Sequence, residues 1–172
     1  MAGDKLVNVK GDTAQDFMDN AHKAMKDRSK LGETTYKLDA KFSIDPKTKK
    51  IKKGTLSLKT TITRVHWAGP AKKKPDKANM DAIKEIESLN TAHEQAHQAS
   101  YEKAFKEAKA DLEAEMEGKT PKEAKDIVDK MKALLVNACE DLHKSGGLLT
   151  LKDDGNGSIS VSEGAEGRGG CK

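Results

Sequence analysis

Apolar and polar residues alternate along residues 36–44, with apolar side chains at Tyr36, Leu38, Ala40, Phe42 and Ile44. A period of two predicts a half-buried β-strand. A second run, Thr55–Trp67, is rich in β-branched residues and predicts a strand that returns beside the first. Its apolar positions change parity between Ile62 and Val65, which predicts a bulge. A short first strand is predicted at Leu6–Val9.

Three other stretches have the period of a helix. The first follows an N-cap at Asp12 or Thr13, and the second spans about Lys77–Glu117. The third begins at Thr120-Pro121-Lys122-Glu123, which offers an N-cap, a proline at the first helical position and a glutamate that completes a capping box. It ends near Ser145. Because only a short turn joins the second and third helices, the two are predicted to run antiparallel.

The second helix contains His93-Glu94-Gln95-Ala96-His97, a match to the motif H-E-x-x-H. Residues at i and i+4 lie on one helix face, so both imidazoles can bind one metal ion, and Glu94 can accept a proton from metal-bound water. At 100° per residue, His97 and Glu94 fall at about 40° and 100° from His93, within or beside the apolar stripe. The pattern predicts a zinc ion held by His93 and His97, with Glu94 as general base. The alternative is two core histidines and a surface glutamate.

A third metal ligand is expected on the third helix. His97 lies as far before the turn between the helices as residues 140–144 lie beyond it, because both helices rise 1.5 Å per residue. His143 is preferred, since the helix is about to end there and the side chain can turn inward. Asp141 is the next candidate, and His66, near the end of the second strand, follows. Three side chains are candidates for stabilising an oxyanion: Tyr36, His66 and Tyr101.

Charge and hydropathy limit the classes of partner. The net charge of the 172-residue chain is +4, with basic and acidic residues well mixed, which does not indicate nucleic-acid binding. No run reaches the roughly 20 apolar residues of a membrane span. Met1–Lys10 lacks the apolar core of a secretory signal, so the protein is expected to be cytoplasmic, to be exported by a route that needs no such signal, or to have lost one.

The C-terminal part is predicted to be a β-hairpin, Leu148–Lys152 and Ser158–Val161, followed by a flexible Gly-rich tail. Residues 152–163 partly match a calcium-binding EF-hand loop, but the first ligand position is Lys152 and no apolar helix follows. The hairpin is therefore the preferred interpretation. Cys139 and Cys171 make no disulfide framework, and since Cys171 lies in the Gly-rich tail, no structural disulfide is expected.

The order of these elements resembles a domain-of-unknown-function group of bacterial zinc-dependent proteases. The resemblance spans roughly residues 6–145 and rests on Gly11-Asp12-Thr13 before the first helix, Thr35-Tyr36 at the start of the strand, and His93–His97. That group ends its last helix with His-Gly, where this chain has Leu142-His143-Lys144-Ser145-Gly146-Gly147. The resemblance implies a zincin-like fold and peptide-bond hydrolysis.

These observations predict an α+β, zincin-like metallopeptidase domain over residues 1–147, followed by the hairpin or tail over 148–172. A small antiparallel sheet would pack on a short helix and on a long antiparallel helical hairpin that carries the H-E-x-x-H motif. The substrate would be a peptide or protein, which adds in extended form to Thr55–Trp67 if that strand is the sheet edge. The alternative is a non-catalytic interaction domain in which zinc only braces two helices. Neither a secreted toxin nor an intracellular processing enzyme is favoured.

Overall fold

The computed structural model describes residues 3–27, 30–165 and 171. In chain order, the described residues form β1 (Gly3–Val9), α1 (Ala14–Met25), β2 (Gly32–Ile44), β3 (Ile51–Trp67), α2 (Lys77–Met116), α3 (Pro121–His143), β4 (Gly147–Asp153) and β5 (Ile159–Ala165). The fold is α+β, as predicted, with three helices and two small sheets in the described part of the chain. None of these helices is both long and apolar enough to cross a membrane.

The larger sheet has the strand order β1-β3-β2. β2 and β3 are antiparallel, but β1 is parallel to β3. The prediction of an antiparallel sheet was therefore wrong for β1, which runs parallel because α1 and β2 together form the crossover that a parallel neighbour requires. The prediction that Thr55–Trp67 forms the sheet edge was also wrong. Thr61–Trp67 of β3 pair with β1 on one side, and the strand pairs with β2 on the other.

The parity change in β3 does not arise from a bulge between Ile62 and Val65. The β2–β3 register is continuous there and shifts only between Ser43 and Ile44. Because side chains alternate between the faces of a strand, Leu56 and Val65 lie on opposite faces. Leu56 belongs to a core cluster built with α2 and α3, whereas Val65 belongs to a second cluster that includes residues of α1. The sheet thus has a core on each face, and β3 contributes to both.

Each of the three helices follows a residue of a type that favours helix N-capping. Thr13 accepts a hydrogen bond from the backbone of α1, and Asp76 does the same for α2. Thr120 and Glu123 form the predicted capping box of α3. The Ser100 hydroxyl donates to the Ala138 carbonyl at 3.1 Å, which places the middle of α2 beside the end of α3. The predicted antiparallel helix pair is confirmed.

The predicted C-terminal hairpin is present and is longer than expected, with β4 and β5 paired from Gly147↔Ala165 to Asp153↔Ile159. Leu149 is buried in the cluster that contains Val65, so the hairpin packs on the core. The segment that partly matches a calcium loop forms the hairpin turn, where Asp153 accepts a hydrogen bond from the Gly155 amide. Of the predicted Gly-rich tail, residues 166–170 and 172 lie outside the described residues.

Cys139 of α3 and Cys171 form a disulfide with a Cα–Cα distance of 5.9 Å, so the expectation of no disulfide was wrong. The two cysteines are 32 residues apart, and the hairpin reverses the chain direction between them. That return depends on tertiary packing, and the composition of the tail gives no sign of it.

Replacing Cys171 with serine is expected to lower the free energy of unfolding by about 3 to 4 kcal/mol, because a crosslink closing a loop of this size restricts the unfolded chain. Urea unfolding of the oxidised wild type and of the variant measures the difference. The reduced wild type should match the variant. Equal stability of all three samples would show that the crosslink does not contribute.

Candidate metal centre

Helices α2 and α3 bring His93, His97 and His143 together. The Nε2 atoms of His93 and His97 are 2.9 Å apart, and one possible ligand atom from each of the three rings lies within 4.8 Å of the others. The His143 ring stacks on that of His93 with centroids 5.6 Å apart and meets the His97 ring edge-on at 4.6 Å. Only 4% of His97 and 6% of His143 is exposed. His143, the preferred candidate for the third ligand, therefore lies beside the two histidines of the H-E-x-x-H motif.

The three imidazoles fit a transition-metal ion. Nitrogen ligands at 2.0–2.1 Å in a tetrahedral zinc site are about 3.3 Å apart, close to the 2.9 Å between the two Nε2 atoms. Burial, reinforced by the neighbouring His93 and His143, lowers the pKa of His97 to about 3. His97 is therefore neutral at pH 7, which is the form that binds a metal. Its Nδ1 is buried and has no hydrogen-bond partner in the described part of the chain.

A second group of possible ligands, Cys139, His143 and Cys171, overlaps the first. Its two sulfurs form the disulfide, and the Cys171 sulfur lies 3.6 Å from His143 Nδ1. A thiolate, not a disulfide sulfur, is the usual zinc ligand. While the disulfide is intact, the three-histidine group is therefore the better candidate, and the disulfide packs beside it.

Glu94 lies in the same cavity with only 4% of its surface exposed, which confirms the predicted burial. The Thr34 hydroxyl on β2 lies 2.6 Å from Glu94 Oε2 and 2.9 Å from the Glu94 carbonyl oxygen. A buried carboxylate is costly unless polar groups satisfy it, and this hydroxyl is one such group. Thr34 was not predicted, because the sequence pattern begins the strand only at Tyr36.

Two further residues missed by the sequence analysis shape the surroundings of Glu94. The Asn90 side-chain amide donates to the Leu31 carbonyl at 3.1 Å and holds the start of β2 against α2. A Cβ at Gly32 would lie 2.7 Å from Glu94 Cγ and Oε1 and 2.8 Å from Asn90 Oδ1. Asn90 falls at about 60° on the helical projection that places His93 at zero, inside the apolar stripe. A polar residue at a position that the helical projection places among apolar ones was the sequence signal that could have identified Asn90.

The substitution Gly32→Ala is expected to displace the Glu94 carboxylate, because the added methyl group would overlap it. Metal affinity should change by less than a factor of about three, while any hydrolytic activity falls at least about tenfold, since a displacement near 1 Å can cost more than that. Metal titration and an activity assay measure the two effects. Gly164→Ala is the matched control, because a Cβ there has no atom within 4 Å. Equal effects of the two variants would contradict the close packing.

The cavity between α2, α3, residues 30–34 and the first residue of β4, Gly147, has a volume of about 30 Å³. This is enough for an ion with a water molecule, since one water needs roughly 10–15 Å³ of such volume. The chemistry that the arrangement can perform is proton transfer by Glu94 to and from a water molecule beside the histidines.

The other predicted candidates do not line this cavity, although the Tyr101 ring stacks on the His97 ring with centroids 6.3 Å apart. Asp141 is exposed, forms an ion pair with Lys144 and does not line the cavity. His66 is exposed and contacts Glu87, with Nδ1 and Oε1 2.9 Å apart. Tyr36 and Tyr101 pack on each other with ring centroids 5.1 Å apart, and burial raises the pKa of Tyr101 to about 12. None of the three oxyanion candidates lines the cavity.

No curated protein matches this chain. No solved structure matches it either. A family model does match residues 5–144, a segment that contains the three histidines and Glu94 but ends before the C-terminal hairpin. Because this segment is most of the chain, the protein belongs to the family described as bacterial protein of unknown function (DUF922).

Proposed function

We propose that this protein is a zinc-dependent metallopeptidase with a zincin-like arrangement of its motif helix. The observation that carries the proposal is the buried Glu94 beside three histidines, with the Thr34 hydroxyl 2.6 Å from its carboxylate. A zinc ion that only braced two helices would have no use for an adjacent buried carboxylate that is not among its ligands. The cost of burying Glu94 therefore supports a chemical role for it.

His93, His97 and His143 would hold the zinc ion, and the ion would act as a Lewis acid that polarises the substrate carbonyl and acidifies a bound water. Glu94 would accept a proton from the attacking water molecule through a carboxylate oxygen and pass it to the leaving amine nitrogen. Thr34 restricts the rotation of the carboxylate by hydrogen bonding to Oε2. Gly32 leaves the space that the carboxylate occupies.

The sheet supplies a place for an extended peptide. Among the described strands, β2 pairs only with β3, and its first residues, Gly32–Thr34, line the cavity. A peptide can add to a sheet edge through main-chain hydrogen bonds. The edge at which substrate binding is proposed is therefore that of β2 and not that of β3, which is central.

One observation favours a different function, a non-catalytic interaction domain braced by zinc. The cavity of about 30 Å³ has room for an ion and a water molecule but not for a peptide side chain, so most of a substrate has to lie outside it. In this alternative the metal contributes to stability, and Glu94 only completes a polar network. Removal of the metal should abolish cleavage if the protein is a peptidase, whereas it should lower the stability of the fold if the protein is a zinc-braced interaction domain.

Removal and return of zinc test the proposal. The purified protein is expected to contain about one zinc ion per chain and to cleave an unfolded protein substrate. A chelator should abolish cleavage, and added zinc should restore it. Circular dichroism on the same samples reports whether the fold survives metal removal. Bound zinc with no cleavage of a broad panel of unfolded substrates would contradict the peptidase and favour the interaction domain.

A further inference from the structure

The inward face of the C-terminal hairpin ends in a carboxylate. Along β5, Ile159, Val161 and Glu163 occupy alternate positions and so lie on one face of the strand. Ile159 and Val161 pack against the core cluster, as does Leu149, the partner of Glu163 across the hairpin. Alternation thus places the Glu163 side chain on the core side of β5. The two preceding side chains on that face, Ile159 and Val161, are apolar.

The Glu163 carboxylate is fixed beside the motif histidine. Its Oε1 accepts a hydrogen bond from the Gly147 amide at 2.8 Å and lies 3.5 Å from Nδ1 of His93. A Cβ at Gly146 would lie 2.7 Å from the same oxygen, so the carboxylate packs directly on that glycine. The side chain of His93 is 12% exposed and that of Glu163 is 32% exposed, so solvent screens the contact only in part.

We propose that Glu163 is a positioning residue for the metal centre: its carboxylate accepts the Nδ1 proton of His93 and thereby holds the ring with Nε2 toward the ion. This inference rests on the proposed zinc site. The 3.5 Å contact is about 0.3 Å longer than a hydrogen bond, so the proposal requires a small rotation of the imidazole that brings Nδ1 closer to the carboxylate. The residue lies outside the matched family segment, 5–144, so the hairpin adds a component to the site that the family model does not include.

The chemistry of histidine ligands explains why this contact matters. A neutral imidazole carries one proton, and a carboxylate at one ring nitrogen holds the proton there and leaves the other nitrogen as the donor to a metal. His93 Nε2 is the atom that lies 2.9 Å from His97 Nε2, so it is the correct atom for a shared ion. The carboxylate also makes the imidazole a stronger ligand.

Zinc affinity tests the proposal in the full chain. Glu163→Gln keeps the size of the side chain but removes the charge, and it should weaken zinc binding by roughly 10- to 100-fold in competition with a chelator. Asp154→Asn is the control, because it removes the same charge from the exposed turn of the same hairpin. Its affinity should equal that of the wild type. Equal affinities for Glu163→Gln and wild type would overturn the positioning role.

The metal-free protein provides a second readout, independent of catalysis. Nitrogen-15 NMR of the His93 ring should show the proton on Nδ1 in the wild type and a shift toward the Nε2-protonated tautomer in Glu163→Gln. Loss of thermal stability with an unchanged tautomer and unchanged zinc affinity would assign Glu163 a purely structural role and overturn the proposal. If the wild type binds zinc but cleaves nothing, the peptidase proposal fails, whereas both readouts still decide the role of Glu163.

Discussion

Substitution Glu94→Gln is expected to leave zinc bound at about one ion per chain while cleavage of an unfolded protein falls by roughly 10²- to 10⁴-fold. Glutamine has nearly the shape of glutamate and can still accept the Thr34 hydrogen bond, so the packing against Gly32 is retained. Its amide oxygen is far too weak a base to accept a proton from water. Metal analysis and the rate of substrate cleavage, measured on the same preparation, separate binding from catalysis.

Glu85→Gln is the matched control, because Glu85 lies on the same helix and is exposed. It should leave both zinc content and cleavage unchanged. Retention of full activity in Glu94→Gln would remove this carboxylate from the mechanism. Loss of zinc from Glu94→Gln would instead show that the carboxylate belongs to the metal-binding group itself.

His143→Ala is expected to abolish stable zinc binding, with affinity reduced so far that a chelator removes the ion completely. The physical reason is that two imidazoles from one helix remain, and two ligands rarely retain the metal against a competitor. The effect is measured as the zinc dissociation constant. Because His143 is buried, thermal unfolding of the metal-free wild type and of the variant shows how much of the change comes from packing.

Asp141→Ala is the control for this substitution, since Asp141 lies two residues earlier on α3 and its side chain is 69% exposed. It should bind zinc as the wild type does. Full zinc retention by His143→Ala would contradict the three-histidine site. Weakened binding in Asp141→Ala alone would assign the third ligand to that carboxylate.

The helical part of the site could be predicted from the sequence because helix geometry is regular. The rise per residue is constant and a short turn makes the helices antiparallel, so equal distances from the turn place residues side by side. This reasoning placed residues 140–144 level with His97, and His143, the preferred candidate among them, is the one that contacts the His97 ring. The helix N-caps at Thr13 and Thr120 could also be predicted, since each cap depends only on residues within one turn of the helix.

The remainder of the site depends on contacts that the sequence pattern does not encode. β2 begins at Gly32, but Glu33-Thr34-Thr35 lacks the apolar alternation that marks residues 36–44, so Thr34 was not recognised. The parallel pairing of β1 and the central position of β3 arise from a crossover, which local periodicity does not determine. Glu163 and Cys171 reach the site only because the hairpin packs back on the core.

The disulfide between Cys139 and Cys171 also sets an order of events when the reduced chain folds. Helices form in microseconds, whereas a disulfide takes seconds to hours to form, depending on the oxidant. Helices α2 and α3 can therefore pair while Cys139 is still a free thiol next to His143. The three imidazoles are thus brought together before the crosslink fixes Cys171 beside them.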